Sequence, residues 1–424
     1  MKLSPRAISR VRQSQLGRQT MLYLLFSATA SLSAAAVTVV LARELSTNGF
    51  AGFTLSKSLL LIVASVFEFG IFFPAARLTA LAEEDRERRM WLGAILVAYL
   101  PMGLLFSCCI ALLSLGVDEV FSVDIGSALL ITAPLGVAYP FSLVALSISK
   151  GTGRAYIQPL LSTIAGFLFF VGALAATVAG VLTLTSTLAL KGAGLIVASV
   201  IIVVLLRPIF SDVRRRLRKM WTETKRWGMN AYWGRLLAVG SYNVDVLILG
   251  ALANAQQVAS YGLAVAGASL IGLPAMALAT SLFRRMAQQE VLDRRPIVIL
   301  VAWGLSATTV GFVLATLIIP RYLNSDLDEA AILVIPLGLT ATVGAVCTLM
   351  ASYLNARAAG RALRNASLAL FLSNLVFSPA LILPFGAMGA AIASLMAMLV
   401  TFAAYAIYVR RLEKSDLDTP IEEV

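Results

Sequence analysis

Apolar runs of about 20 residues recur along the chain, separated by short polar turns. A hydrocarbon core about 30 Å thick needs a helix of about that length to cross it, so each run predicts a transmembrane helix. Twelve spans are expected, at about 21–42, 50–77, 91–116, 126–149, 157–179, 184–206, 234–253, 259–283, 297–319, 329–354, 366–383 and 387–409. One long polar stretch interrupts them near the middle, RPIFSDVRRRLRKMWTETKRWGMNAYWGR at 207–235. It carries nine Lys/Arg against Asp212 and Glu223 and reads as a cytosolic loop on an anionic lipid surface, with Trp221, Trp227, Tyr232 and Trp233 at headgroup level. A solvated loop that only sets topology is the alternative.

Charge fixes the expected orientation. Thirty of the 34 Lys/Arg fall in the N-terminal tail, the loops after even-numbered spans, the central loop and the C-terminal tail. The opposite loops hold only Arg43 and Arg321, and Lys57 and Lys191 lie inside spans. Both termini are therefore expected in the cytosol. The domains expected are an N-terminal six-helix lobe at 1–206, a basic cytosolic linker at 207–233, a second six-helix lobe at 234–409 and a cytosolic tail at 410–424.

Composition narrows the class. The chain has 424 residues, of which 59% are hydrophobic and 13% charged, as a polytopic helical membrane protein requires. The net charge of +12 sits on one side in the loops, so it is no sign of nucleic-acid binding. The basic N-terminus runs into a full-length apolar segment, so no cleaved leader is expected. Cys108, Cys109 and Cys347 lie in apolar runs and predict neither a disulfide framework nor a metal site. Without histidine, a proton relay would need Asp or Glu. No phosphate-cradling Walker loop is present, so ATP is not the expected direct driver.

The two halves resemble each other. At an offset of about 207 residues, KGTGR (150–154) falls on RAAGR (357–361), placing Arg154 on Arg361, Gln158 on Asn365 and Leu45 on Leu252. With one residue of slippage Phe53 falls on Tyr261, Leu55 on Leu263 and Arg77 on Arg285. Six spans separate the copies, so they share one orientation, as in transporters that bind substrate between lobes at mid-bilayer. Duplication in a pore or scaffold is the other explanation. Arg77, Arg285, Arg154 and Arg361 are candidate gating or loop residues.

The stretch 39–80 carries Arg43, Gly49-Phe50, Phe69-Gly70 and Arg77 in the order seen in the opening helices of polysaccharide flippases of the O-antigen and oligosaccharide type. NVDVLILGALANAQQVASYGLA (243–264) is similar to the matching element of their second lobe, and LILPFGAMGAAIASLMAMLV (381–400) resembles their Pro-x-Gly-x-x-Gly-Ala-Ala link between the last two helices. The resemblance covers nearly the whole chain and extends to the multidrug/oligosaccharidyl-lipid/polysaccharide (MOP) exporter superfamily. It implies an all-α integral membrane protein of the MATE-like fold, with twelve helices in two pseudo-symmetric lobes. It also implies a multi-pass protein of the bacterial inner membrane whose substrate is an undecaprenyl-diphosphate-linked oligosaccharide. A glycan polymerase and assembly proteins are implied partners, and anionic lipids are expected around the basic loop. No cofactor, metal, nucleic acid or enzymatic reaction is expected, and a monomer is the expected working unit.

Ionisable residues within spans are costly and by default functional. Lys57, Lys191 and Asp245 are expected at similar heights in the outer half of the membrane, with Arg43 just above. Lys57 and Lys191 could instead snorkel to the headgroups, and Asp245 could form a structural ion pair, including one with Lys57. Glu68 follows Lys57 by about three helical turns, which predicts that both lie on one face of span two. Glu68 and Asp245 are the candidate ion-coupling groups. Arg43, Lys57, Lys191, Asn243 and Asn374 are the candidate substrate-binding residues, Asn374 equally suiting helix–helix bonding. Cations suit a diphosphate. The expected function is therefore a flippase working by alternating access. A multidrug extruder exchanging organic cations for protons or sodium is the alternative, and it predicts a net acidic, aromatic-lined cavity. A lipid II flippase would usually carry two more helices, and a membrane glycosyltransferase would need a large outer loop or a catalytic acidic pair.

Overall fold

The structure, a computed structural model, describes residues 5–241, 243–288, 291–323, 325–357 and 359–418, and these form helices and turns with no strand among them. In hydrocarbon no water satisfies a backbone N–H or C=O, so a lone spanning segment must close its hydrogen bonds within itself. In chain order the helices are α1 (Pro5–Glu44), α2 (Thr47–Val66), α3 (Phe72–Ala80), α4 (Asp85–Leu113), α5 (Gly126–Thr132) and α6 (Phe141–Thr152). Then come α7 (Ile157–Val178), α8 (Leu184–Leu206), α9 (Val213–Glu223), α10 (Met229–Ser241) and α11 (Val244–Leu252). The last are α12 (Ala255–Ser269), α13 (Leu273–Gln288), α14 (Arg294–Tyr322), α15 (Glu329–Ala356) and α16 (Gly360–Asp418).

Among the described residues ten helical stretches are long and apolar enough to span a membrane, or eleven if the bent pair α10–α11 is one span. One of the ten, Gly360–Lys414, has 55 residues, about 80 Å as a straight helix, far more than one crossing needs. Gly386 breaks it with φ 55° and ψ −131°, which divides α16 into two arms. The pattern is consistent with the twelve expected spans.

The chain forms two compact units. The first comprises Met1–Val37, Val63–Leu115 and Ser127–Trp233; the second comprises Thr38–Ile62, Gly116–Gly126 and Gly234–Val424. The end of α1 and most of α2 therefore belong with the second sequence half. In the first unit Trp91, Ile95, Phe141, Val144, Ile148 and Ile202 form the core. In the second unit Leu300, Leu349, Tyr353, Ala366, Ala397 and Met398 do so.

Close backbone approach is made by small residues. A Cβ on Gly304 of α14 would stand 2.3 Å from Thr342 Oγ1 of α15, and one on Gly338 of α15 would stand 2.6 Å from the Thr308 side chain of α14. Each threonine bonds back to the glycine four residues earlier on its own helix, at 2.7 and 2.8 Å. Its hydroxyl is thus satisfied where it meets the neighbouring helix. In the second unit Leu55 packs where a Cβ on Gly250 would sit, and Thr54 does the same against Gly262, seating α2 on α11 and α12.

Several spans depart from the uniform helices expected. Span two breaks after Val66, because Phe69 and Gly70 have φ of 45° and 68°, which a right-handed helix cannot accommodate. Glu68 lies in that break, so it does not share a continuous helical face with Lys57, and the two belong to different units. Span four becomes α5, a 3₁₀ segment at Ala133–Ala138 containing Pro134, and α6. The central stretch expected as a loop is helical from Val213, through a π turn at Thr224–Gly228, into α10. Arg216 stacks on Trp91 at 4.7 Å and reaches Glu87 at 3.7 Å, pinning α9 to the start of α4. Trp221 and Trp233 are exposed, as headgroup contact requires. Tyr232 instead is buried and donates to the Val66 carbonyl at 2.8 Å. The Trp227 side chain lies outside those described.

The arms of α16 give a direct test of this packing. A Cβ on Gly389 would stand 1.9 Å from the Leu381 carbonyl oxygen, which cannot move without disturbing the preceding arm. Gly389→Val is expected to cost about 1–3 kcal/mol or more and to lower the thermal midpoint of the purified protein. Gly267→Val, where nothing lies within 4 Å, is expected to leave that midpoint nearly unchanged.

Candidate functional site

The second unit contains an open cavity of about 380 Å³ whose polar wall includes Ser241, Asp245, Tyr261, Thr340, Asn374 and Ser394. Its other walls are apolar, with Met276, Leu337 and Met398 among them. The polar side chains come from separate elements brought together by helix breaks. α10 and α11 meet at a bend of 43°, where Asn243 has non-helical φ −134° and ψ −13°. The bend places Asp245 in the first turn of α11, where unsatisfied N–H groups favour a negative charge. Tyr261 comes from α12, Asn374 from the first arm of α16 and Ser394 from the second.

Asp245 is the centre of the group. Its carboxylate accepts the Tyr261 hydroxyl, the Ser394 hydroxyl at 2.9 Å and the Val246 N–H at 2.8 Å. Tyr261 and Ser394 also lie 3.3 Å apart. All three side chains are buried, Asp245 being 7% exposed. Beside them Asn374 donates to the Ser241 carbonyl at 2.9 Å, and its own Oδ1 has no hydrogen-bond partner among the described residues. A buried carboxylate met only by neutral donors retains much of its desolvation cost, which a proton or a small cation would relieve. The described residues hold no group of three His, Cys, Asp or Glu that suits a multi-carboxylate metal centre.

The remaining sequence candidates do not join this group. Asn243 bonds its own helix, donating to the Val239 carbonyl at 2.9 Å. Lys57, on α2 in the second unit, is exposed and makes no hydrogen bond or ion pair among the described residues. The Lys57–Asp245 pair that the sequence allows is thus not formed. Arg43 is exposed and pairs with its neighbour Glu44 at 3.3 Å, a contact of little weight at a surface. In the first unit, half-buried Lys191 lies 5.9 Å from the centre of the Tyr139 ring, and Glu68 is 1% exposed in the α2–α3 break. Arg77 ends α3, Arg154 follows α6 and Arg361 begins α16, all exposed; the Arg285 side chain lies outside those described. Tyr261 and Ser394 were not singled out from sequence. The one available signal was a tyrosine in an apolar helix, since a buried phenol needs a partner.

A model of the family described as "Polysaccharide biosynthesis protein" matches residues 16–290, well over half of the chain. The chain belongs to this family. Solved structures share its fold at low identity. An inward-facing multidrug resistance MATE family transporter of the MOP superfamily aligns with a TM-score of 0.72 and 13% identity, over 93% of this chain and 99% of the other. The lipid II flippase MurJ, in an inward closed conformation, aligns with 0.70 and 15%, over 91% and 87%. The Vibrio cholerae MATE transporter VcmN, in its bent form, aligns with 0.60 and 16%, over 95% and 98%. A comparison with curated proteins finds no match. The protein is thus a multi-pass membrane protein with the fold shared by these transporters and MurJ.

The hydrogen bonds to Asp245 predict coupling between the partners. Tyr261→Phe is expected to cost about 1.5–3 kcal/mol in the wild-type background and much less beside Asp245→Asn. Thermal unfolding of the four proteins of this cycle measures the difference. Equal losses in both backgrounds would contradict a bond to the charged carboxylate.

Proposed function

We propose that this protein is a flippase carrying an undecaprenyl-diphosphate-linked oligosaccharide across the bacterial inner membrane by alternating access. The observation that carries the proposal is the polysaccharide biosynthesis family match over 16–290. The fold likeness to both a lipid II flippase and multidrug transporters supports transport as the class. Within that class the charge expected in the outer half of the membrane and at its rim favours an anion. Arg43, Lys57 and Lys191 outnumber Asp245 and Glu68, and guanidinium and ammonium groups suit a diphosphate. In this proposal those cations, with Asn243 and Asn374, engage the substrate, and Arg77, Arg285, Arg154 and Arg361 act in loops and gates. Both termini lie in the cytosol, and glycan polymerase and assembly proteins act on the product.

Asp245 serves as the ion-coupling group. A proton or sodium ion neutralises the buried carboxylate in one state and leaves it in another, so an ion gradient biases the cycle. Glu68, buried at the α2–α3 break, is the second candidate for this role. One observation favours the rival multidrug extruder: the Asp245 cavity is acidic and largely apolar-walled, as an organic cation prefers.

Cells lacking the protein decide between the two. Complementation uses wild type, Lys57→Ala, Lys191→Ala or Asp245→Ala at matched expression, with surface glycan and the lipid-linked repeat unit followed. The expected result is loss of surface glycan in the null strain, with lipid-linked units held on the cytosolic side and only wild type restoring export fully. Normal surface glycan in the null strain, with altered resistance to cationic dyes, would instead establish the extruder.

A further inference from the structure

The first unit gathers arginines at one end of three helices. Asp85, Arg88 and Arg89 open α4, Arg154 follows α6 and Arg207 follows α8; with Leu205 they are among the lining of a pocket of about 210 Å³. The local backbone is built to hold them. Gly153 (φ 68°) ends α6 and turns the chain into Arg154, and Arg207 (φ 48°) ends α8 in the left-handed region. Arg89 Nε donates to the Arg207 carbonyl at 2.6 Å, and the Ile209 N–H returns to the Arg89 carbonyl at 2.9 Å, tying the end of α8 to the start of α4. A Cβ on Gly93 would stand 2.3 Å from the Ile209 carbonyl oxygen, so the chain after α8 lies directly on α4. Arg88 Nε donates to the Ala82 carbonyl at 3.0 Å.

Both half-buried guanidiniums are thus anchored through Nε. Their terminal Nη groups make no hydrogen bond or ion pair among the described residues, and Asp85 forms no ion pair there either. Four guanidiniums face one carboxylate in a small pocket, a repulsive arrangement that a multivalent anion relieves. A phosphate accepts forked N–H pairs from arginine better than a point charge would. The setting says where that phosphate comes from. Leu205 on the pocket wall is 59% exposed, and Val204 and Phe210 beside it are likewise exposed, so apolar helix surface runs up to the arginines. Such a boundary suits a headgroup in the pocket and acyl chains along α8.

We propose that this pocket binds the phosphate of an anionic membrane phospholipid. The site lies wholly within the first unit and does not depend on what the protein transports. It gives the expected contact with anionic lipid a defined location, built from α4, the turn after α6 and the start of the central basic stretch at Arg207.

The test titrates purified full-length protein in detergent with short-chain phosphatidylglycerol, short-chain phosphatidylcholine and inorganic pyrophosphate, reading the shift in thermal midpoint. Arg154→Gln/Arg207→Gln removes two exposed guanidiniums whose side chains make no hydrogen bond among the described residues. Arg214→Gln/Arg215→Gln removes the same charge from the exposed side of α9. Phosphatidylglycerol is expected to stabilise wild type and the α9 variant alike, and to bind the pocket variant about tenfold more weakly or worse. Arg154→Gln alone is expected to show a smaller loss in the same direction, which keeps the test decisive if the double variant does not fold. Unchanged affinity in the pocket variants, or an equal loss in the α9 variant, would overturn a specific site. Pyrophosphate binding as tightly as phosphatidylglycerol would overturn the lipid as ligand.

Discussion

A carboxylate removed from water inside an apolar helical unit costs several kcal/mol unless other groups take the place of its hydration. The second unit is arranged around that demand at Asp245. One hydroxyl comes from α12, one from the far arm of α16, and a backbone N–H comes from the first turn of α11 itself. No cation joins them among the described residues, so the charge is solvated by dipoles and not cancelled. Such a group responds to protons and small ions, and it lies where three helix segments meet. Neutralising it would change what holds α11 against α12 and α16. Ion binding and helix packing are thereby linked through the same atoms.

The helix breaks follow from the same scarcity of water. A span in hydrocarbon keeps its hydrogen bonds unless something local forces it otherwise, so each break has an identifiable cause. Phe69 and Gly70 take positive φ between α2 and α3, Pro134 sits in the 3₁₀ turn between α5 and α6, and Gly386 kinks the chain inside α16. The Pro-x-Gly-x-x-Gly-Ala-Ala sequence at 384–391 has a physical reading. Gly386 supplies the conformation, Gly389 admits the Leu381 carbonyl, and Ala390 and Ala391 are fully buried where the second arm packs. Ser394, which donates to Asp245, lies on the arm beyond that break.

Much of this architecture is written in hydropathy and charge. The apolar runs locate the spans to within a few residues, and the rarity of ionisable groups in them singles out Asp245. What escapes is whatever depends on a break within a run. Uniform helicity through 50–77 puts Lys57 and Glu68 on one face, whereas α2 ends at Val66 and Glu68 lies in the turn that follows, just before the positive φ angles of Phe69 and Gly70. Basic residues at 214–219 read as loop because their polarity hides the helix, which the stacking of Arg216 on Trp91 pins to α4. In the internal repeat read from the sequence Tyr261 falls on Phe53, and the hydroxyl that distinguishes the two is one of three donors to the Asp245 carboxylate. Neither Tyr261 nor Ser394 is near Asp245 in sequence, so no spacing rule brings the three together.

Translocation itself is the most direct test. Purified protein in proteoliposomes, loaded with a fluorescent undecaprenyl-diphosphate-linked oligosaccharide in one leaflet, would be assayed for arrival of the glycan in the other by its access to a soluble glycosidase. Arrival should require the protein, rise when a proton or sodium gradient is imposed, and lose that gradient dependence when Asp245→Asn replaces the carboxylate. Glycan that stays in its leaflet under every gradient, or crosses equally with Asp245→Asn and wild type, would contradict a flippase coupled through Asp245.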